Sequence, residues 1–263
     1  MYSAIVLGAP LNVNASGQTT MARPPPPGRC VHCLGFFEEM TWDHVFPEAW
    51  YPDTTPDNVE KWKIPSCRPC NALQGKNEGE LLVRFGLCID PDDPKNAGIV
   101  EKALRALTAE SGRDEKDAKA REAYRQKILR QVFEGEAIPF QAIYPGFGPR
   151  PGIHDLTLVA VPVSATGIRT LVEKIVRGIT YVHDRKFVES PYKIEQFVLT
   201  DEGATPLTDI LRRFGKVYER GPGIIVTRAV VPEDQMTAFY GIEIWGRFKA
   251  YASIERDKSE IVR

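Results

Sequence analysis

Four of the five cysteines fall into two pairs, Cys30-x2-Cys33 and Cys67-x2-Cys70, while Cys88 stands apart. Two intervening residues let both sulfurs of a pair turn toward one ion, and four thiolates make a closed tetrahedral zinc site. Such a zinc keeps no open position, so it holds structure and performs no chemistry. Ala4 to Leu7 is apolar but has no basic residue ahead of it, and Gly8, Pro10 and Asn12 interrupt the stretch. The secretory pattern is therefore missing, and the paired cysteines read as metal ligands in a reducing compartment, the cytoplasm. Cys88 is expected to be a buried, unreactive side chain.

More is written between the pairs. Trp42-Asp43-His44-Val45-Phe46-Pro47 follows the first pair, Asn58 lies between the two, and Asn71 directly follows Cys70. In these residues the chain resembles the HNH nuclease family. In that family a ββα-metal core is often stabilised by two CxxC knuckles, with an Asp/Glu-His segment after the first, an Asn before the second, and a His or Asn after its last cysteine. The resemblance covers residues 28–85.

It implies a metal-dependent endonuclease that hydrolyses phosphodiester bonds, DNA more than RNA, leaving a 5′-phosphate. Under it His44 is the general base, because imidazole accepts a proton near neutral pH. Asp43 and Asn71 supply oxygens to a catalytic Mg²⁺ or Mn²⁺, and Asn58 braces the loop and polarises the His44 imidazole. Phosphodiester hydrolysis needs an activated water and stabilised charge on the phosphate and leaving oxygen, which this set can deliver. Two features depart from the family pattern. Asn71 stands where His is commoner, and Asn58 lies further from Cys67 than usual, with Glu60 to Pro65 between. Asp43 and His44 are also neighbours, which in a regular strand face opposite ways. Both serve one site only at a strand end, which Pro47 favours. Glu78 is a further carboxylate candidate; His32 reads as surface, and Lys76 as a solvated lysine. The other open reading is a non-catalytic zinc-stabilised scaffold that binds nucleic acid or protein. It needs the four cysteines but not the Asp43–His44 pair.

The elements that must position these residues follow from periodicity. Residues 1–27 read as a disordered extension ending in the proline-rich ARPPPPGR stretch at 22–29. Residues 28–96 form the loop-rich zinc-knuckle unit, with too few apolar residues to fold without metal. Residues 97–135 form a helical connector, with helices over 97–110 and 114–134. Residues 136–263 form a C-terminal α+β sandwich-like domain in the order β-α-β-α-β-β: strands at Leu156–Val163, Tyr192–Leu199, Ile224–Val231 and Met236–Ile254, and helices along 168–182 and 207–218. On the first of these helices, Arg169, Glu173, Lys174 and Arg177 form an outward polar side. In the last strand Tyr240, Ile242, Ile244, Phe248 and Ala250 face inward, and Trp245, Arg247, Lys249 and Tyr251 face out. An exposed aromatic and basic row of this kind can stack bases and pair phosphates; it equally suits a covered or two-sided sheet. His154 and His183 have no visible partner. The fold class is α+β. The C-terminal domain is also the place for a homo-oligomer contact or an activating partner.

Composition sets the outer limits. The 263 residues carry 34 basic and 35 acidic side chains, a net charge of -1. That excludes indiscriminate electrostatic binding to nucleic acid, so any such contact is local. No apolar run reaches the ~18 residues that a membrane helix needs.

Overall fold

The computed structural model describes residues 23–139, 142–147 and 159–257. Residues 1–22 of the extension, His154, and Leu156 to Leu158 of the first expected C-terminal strand lie outside them.

The chain opens with a knuckle hairpin, β1 (Gly28–Arg29) against β2 (Phe36–Phe37). Its turn places Leu34, not Gly35, in the left-handed region (φ 65°). Gly35 answers to space instead, since a Cβ there would lie 3.0 Å from the Phe37 ring. Next come β3 (Thr41–His44) and β4 (Lys63–Ser66), antiparallel, with Asp43 opposite Ile64 and His44 opposite Lys63. β4 runs straight into α1 (Arg68–Gly86), with extended Cys67 as its N-cap and a proline in its first turn. The second cysteine pair therefore opens a helix.

α2 (Ile99–Leu107) and α3 (Glu115–Leu129) follow. Asp114 caps α3 by accepting the Asp117 N–H at 2.8 Å. Leu107 and Ile128 pack with Val83 of α1. The second connector helix stops at Leu129, earlier than expected. Phe133 and Glu134 instead form β5 (Phe133–Glu134), paired with β6 (Val159–Ala160), a partner too distant in sequence for local periodicity to reveal.

α4 (Ala165–Asp184) begins at Ser164, whose hydroxyl accepts the Gly167 N–H. Then come β7 (Tyr192–Phe197), α5 (Thr205–Phe214), β8 (Lys216–Glu219), β9 (Ile224–Val230), β10 (Ala238–Ile244) and β11 (Phe248–Arg256). The sheet order is β7-β11-β10-β9-β8, every neighbouring pair antiparallel. The fold is thus mixed α and β, but its C-terminal order is β-α-β-α-β-β-β-β, not β-α-β-α-β-β. Two local events account for the difference. α5 ends at Phe214, short of the expected 218, with Gly215 as its C-cap, which frees Lys216–Glu219 to form β8. The expected strand 236–254 is broken by a turn in which Arg247 N–H donates to Ile244 O. Its central residues, Trp245 (φ 52°) and Gly246 (φ 66°), are both left-handed, the type I′ pattern that reverses a strand.

One hydrophobic cluster runs from the knuckle unit into the sheet. Trp50 and Trp245 lie 5.0 Å apart, centroid to centroid, and Trp245 Nε1 donates to Trp50 O at 2.9 Å. Phe85 of α1 meets Phe248 of β11 at 4.6 Å. Gly178 of α4 lies so close to Val45 that a Cβ would come within 2.8 Å of its side chain. Trp245 and Tyr251, expected to face out, are therefore buried, Trp245 against Trp50 and Tyr251 beside Leu211 of α5. The expected exposed stacking row is not formed by them. No helix among the described residues is long and apolar enough to cross a membrane.

Because the core is continuous, release of a bound metal and loss of sheet structure should share one urea midpoint. Trp245→Ala should move both together and cost about 3–5 kcal/mol. Far-UV circular dichroism beside a colorimetric zinc chelator measures this.

Candidate functional site

The Sγ atoms of Cys30, Cys33, Cys67 and Cys70 all lie within 4.8 Å of one another, with Cys33 and Cys67 3.9 Å apart. Zinc–sulfur bonds of about 2.3 Å imply tetrahedral edges of roughly 3.8 Å, so the four sulfurs fit one metal ion such as zinc. The Cys67 N–H points at Cys30 Sγ at 3.3 Å. Burial opposes a thiolate at Cys30, yet N–H groups of Cys33, Cys67 and His32 bring its pKa down to about 6. Burial and neighbouring sulfurs push Cys70 up. A cation among the four relieves that mutual repulsion. Cys88 is partly buried, with its thiol pushed up by burial.

β3 ends at His44, where Pro47 leads into a short 3-10 turn. Strand alternation nevertheless separates the two neighbours. Asp43 points inward and is 5% exposed, while His44 lies half-buried on the other face. Asp43 Oδ2 lies 2.9 Å from His32 Nε2, and Oδ1 accepts from Lys174 Nζ at 2.7 Å. Lys174 also donates to Glu78 Oε1. The lysine side chain is 0% exposed. Burial alone would raise the Asp43 carboxyl, but the His32 bond and the Lys174 charge hold it below its ordinary value. Burial dominates at Glu78 and pushes its carboxyl up despite the same ammonium. Asp43 is thus the better-held anion of the two.

The His44 imidazole makes no hydrogen bond to a described residue. Burial depresses its pKa, with Lys63 and Lys174 adding to the effect and Glu48 and Asp43 opposing it. The ring is therefore neutral near neutral pH and able to accept a proton. Asn71, in the first turn of α1, donates from Nδ2 to Thr41 Oγ1 (2.9 Å) and Trp42 O (3.1 Å). It ties the helix to β3 and leaves Oδ1 without a donor among the described residues. Asn58 is exposed on a turn of the loop between β3 and β4, and its side chain bonds no described residue. Asp43 and Asn71, as placed, do not present an open coordination sphere to a divalent ion. Asp43 is buried, and both its oxygens already face a partner.

His32 and Lys174 were read as surface residues, and both are buried at this cluster. Lys174 carried a signal: Leu171, Lys174, Ile175 and Gly178 share one helical row, all of it buried. A lysine there needs an internal anion. A cleft of about 1170 Å³ lies elsewhere, between Phe85, Tyr144, Ile168, Ile194 and Arg247. Compared with known proteins, the chain matches no family model, no curated protein and no solved structure.

Cys67→Ser should abolish metal binding and lower the melting temperature sharply, since it removes one thiolate of the cluster while Ser keeps the N-cap of α1, so the loss reports the metal. Elemental analysis and calorimetry on one preparation test this.

Proposed function

We propose that this protein is an HNH-type endonuclease acting on phosphodiester bonds of nucleic acid, DNA more than RNA. One observation carries the reading. An antiparallel strand pair leads directly into a helix whose first turn completes a four-cysteine cluster, and a histidine with no hydrogen bond to a described residue, its pKa lowered by burial, ends the first strand.

In this reading His44 takes a proton from a water molecule as its oxygen attacks phosphorus. The bond to the 3′ oxygen breaks, leaving the 5′-phosphate and 3′-hydroxyl that the family resemblance implies. Lys63, exposed beside His44, adds positive charge where a phosphate would approach. Asn71 sets the distance between α1 and β3. The Mg²⁺ or Mn²⁺ that the resemblance implies would, when bound, neutralise charge on the phosphate. Asp43 is not open to it in the arrangement described. Asn58, far from any bracing contact, has no assigned role here. Zinc at the four cysteines holds the unit together.

The burial of Asp43 beneath Lys174 favours a second reading, a zinc-stabilised scaffold that binds nucleic acid or protein without cleaving it.

Nicking of supercoiled plasmid at millimolar Mn²⁺ separates the two. The wild type should nick, and EDTA should stop it. His44→Ala should be slower by about 10²–10⁴-fold, the range for loss of a general base, with zinc content and melting temperature unchanged. A folded, zinc-loaded wild type that leaves the plasmid intact would favour the scaffold. Loss of folding in His44→Ala would make the histidine structural.

A further inference from the structure

Three cations lie along one strip of the molecule that joins the knuckle unit to the sheet. Lys63 is exposed on β4 opposite His44, Lys216 is exposed on β8, and the half-buried Arg220 directly follows β8. None of them forms an ion pair with a described residue, in a chain whose charges otherwise nearly cancel. The three are linked through aromatic rings. The Arg220 guanidinium lies over Trp62, 4.1 Å from its centroid, and its Nε is buried without an acceptor among the described residues. Trp62 is the residue before Lys63, and it is fixed in place. Its carbonyl accepts the Val45 N–H, and its ring meets Phe46, His183 and Tyr218. The Lys216 ammonium in turn sits 5.4 Å from the Tyr218 ring. β8 is an edge strand of the sheet, so the strip opens to solvent.

This grouping opposes folding. Lys216 stands directly opposite Arg228 in the β8–β9 ladder, and like charges so placed repel. Asp184 pairs with Arg228 and leaves Lys216 uncompensated. Burial lowers the pKa of His183 beside them, and Lys216, Arg228 and Arg220 lower it further against Asp184. Positive charge therefore outweighs the local carboxylate. Glu48 is already engaged by Lys61 at 3.0 Å, and Glu219 alternates to the other face of β8. An external polyanion would supply the missing charge. We propose that Lys63, Arg220 and Lys216 form a phosphate track along which a DNA backbone passes from His44 onto the edge of the C-terminal sheet. The guanidinium held flat on Trp62 is preorganised to grip one phosphate through two N–H groups, and the lysines act as point charges on either side. The sheet then serves to hold the substrate. The inference takes its partner from the nuclease reading and does not require cleavage.

The test is fluorescence anisotropy of a short labelled DNA duplex titrated with zinc-loaded protein, without added divalent ion, across a series of NaCl concentrations. Lys216→Ala/Arg220→Ala should weaken binding by about 10–100-fold at ~0.1 M NaCl. It should also flatten the logarithmic salt slope by about 1.8, or about 0.9 for each lost phosphate contact. Lys116→Ala/Arg130→Ala removes the same charge from exposed positions of α3 and should bind as the wild type does. If loss of Arg220 disturbs the Trp62 packing, Lys216→Gln alone, at an exposed position, should still flatten the slope by about 0.9. A wild type that binds no duplex, or a slope unchanged in these variants, would overturn the proposal. Equal weakening in the α3 variant would also overturn it, by making the effect one of net charge. Displacement of the duplex by an equal charge of poly-glutamate would assign the strip to an acidic protein instead. Nicking is scored separately. Plasmid that is bound through the track yet left intact at millimolar Mn²⁺ would sink the nuclease reading and keep the track. Nicking that persists at wild-type rate in Lys216→Ala/Arg220→Ala would keep the nuclease and sink the track.

Discussion

The buried ammonium of Lys174 between Asp43 and Glu78 is the contact on which the arrangement of the two halves rests. Removing one member of such a group strands a charge away from water, a loss of about 3–5 kcal/mol. The same group would be worthless for packing if its members could part, so the apolar contacts around it matter as much. Val45 on Gly178, Trp50 on Trp245 and Phe85 on Phe248 clamp the strand pair, α1, α4 and the sheet into one core. Directional charge pairing fixes where α4 lies, and non-directional burial makes that placement stable.

The knuckle region stands in a different regime. β1 and β2 are two residues each, and β3 and β4 four each, too short to hold themselves together. A metal ion bound among the four sulfurs would add to the apolar contacts that Val45, Phe46, Trp62 and Ile64 make with the main core, and its binding free energy would become folding free energy. The helix that follows inherits its start from this centre, since Cys67 is both ligand candidate and N-cap. His44 and Asn71 are therefore placed by the cysteines, while Asp43 is placed by α4. The two sides of one short strand answer to different forces.

That division explains what could be read early and what could not. The cysteine spacing led directly to a four-sulfur cluster, whereas the strand–strand–helix order was only what the family resemblance implied, the residues themselves reading as loop-rich. The α4 stripe of Ile168, Leu171, Val172, Ile175, Val176 and Ile179 is buried as its period required. Lys174 and His32 were misread because a polar residue looks the same in sequence whether water or a carboxylate receives it. Trp245 was misread because alternation assigns faces only while a strand continues, and two left-handed residues end it there. β8 and the β5–β6 pair were missed because their strands are too short for periodicity, and only a distant partner makes them strands.

By itself the sequence determined the metal-binding spacing, the α+β class, the helical stripes and a net charge too low for indiscriminate nucleic-acid binding. Each of these depends on residues near one another along the chain, or on composition alone. Tertiary structure decided that Asp43 meets Lys174, 131 positions away, and that Trp50 meets Trp245, 195 positions away. It also decided that the His44 side chain makes no hydrogen bond to a described residue. Whether a carboxylate is open to a metal depends on what covers it. That cover comes from a helix whose own sequence shows only an amphipathic period, and its place is set by long-range packing.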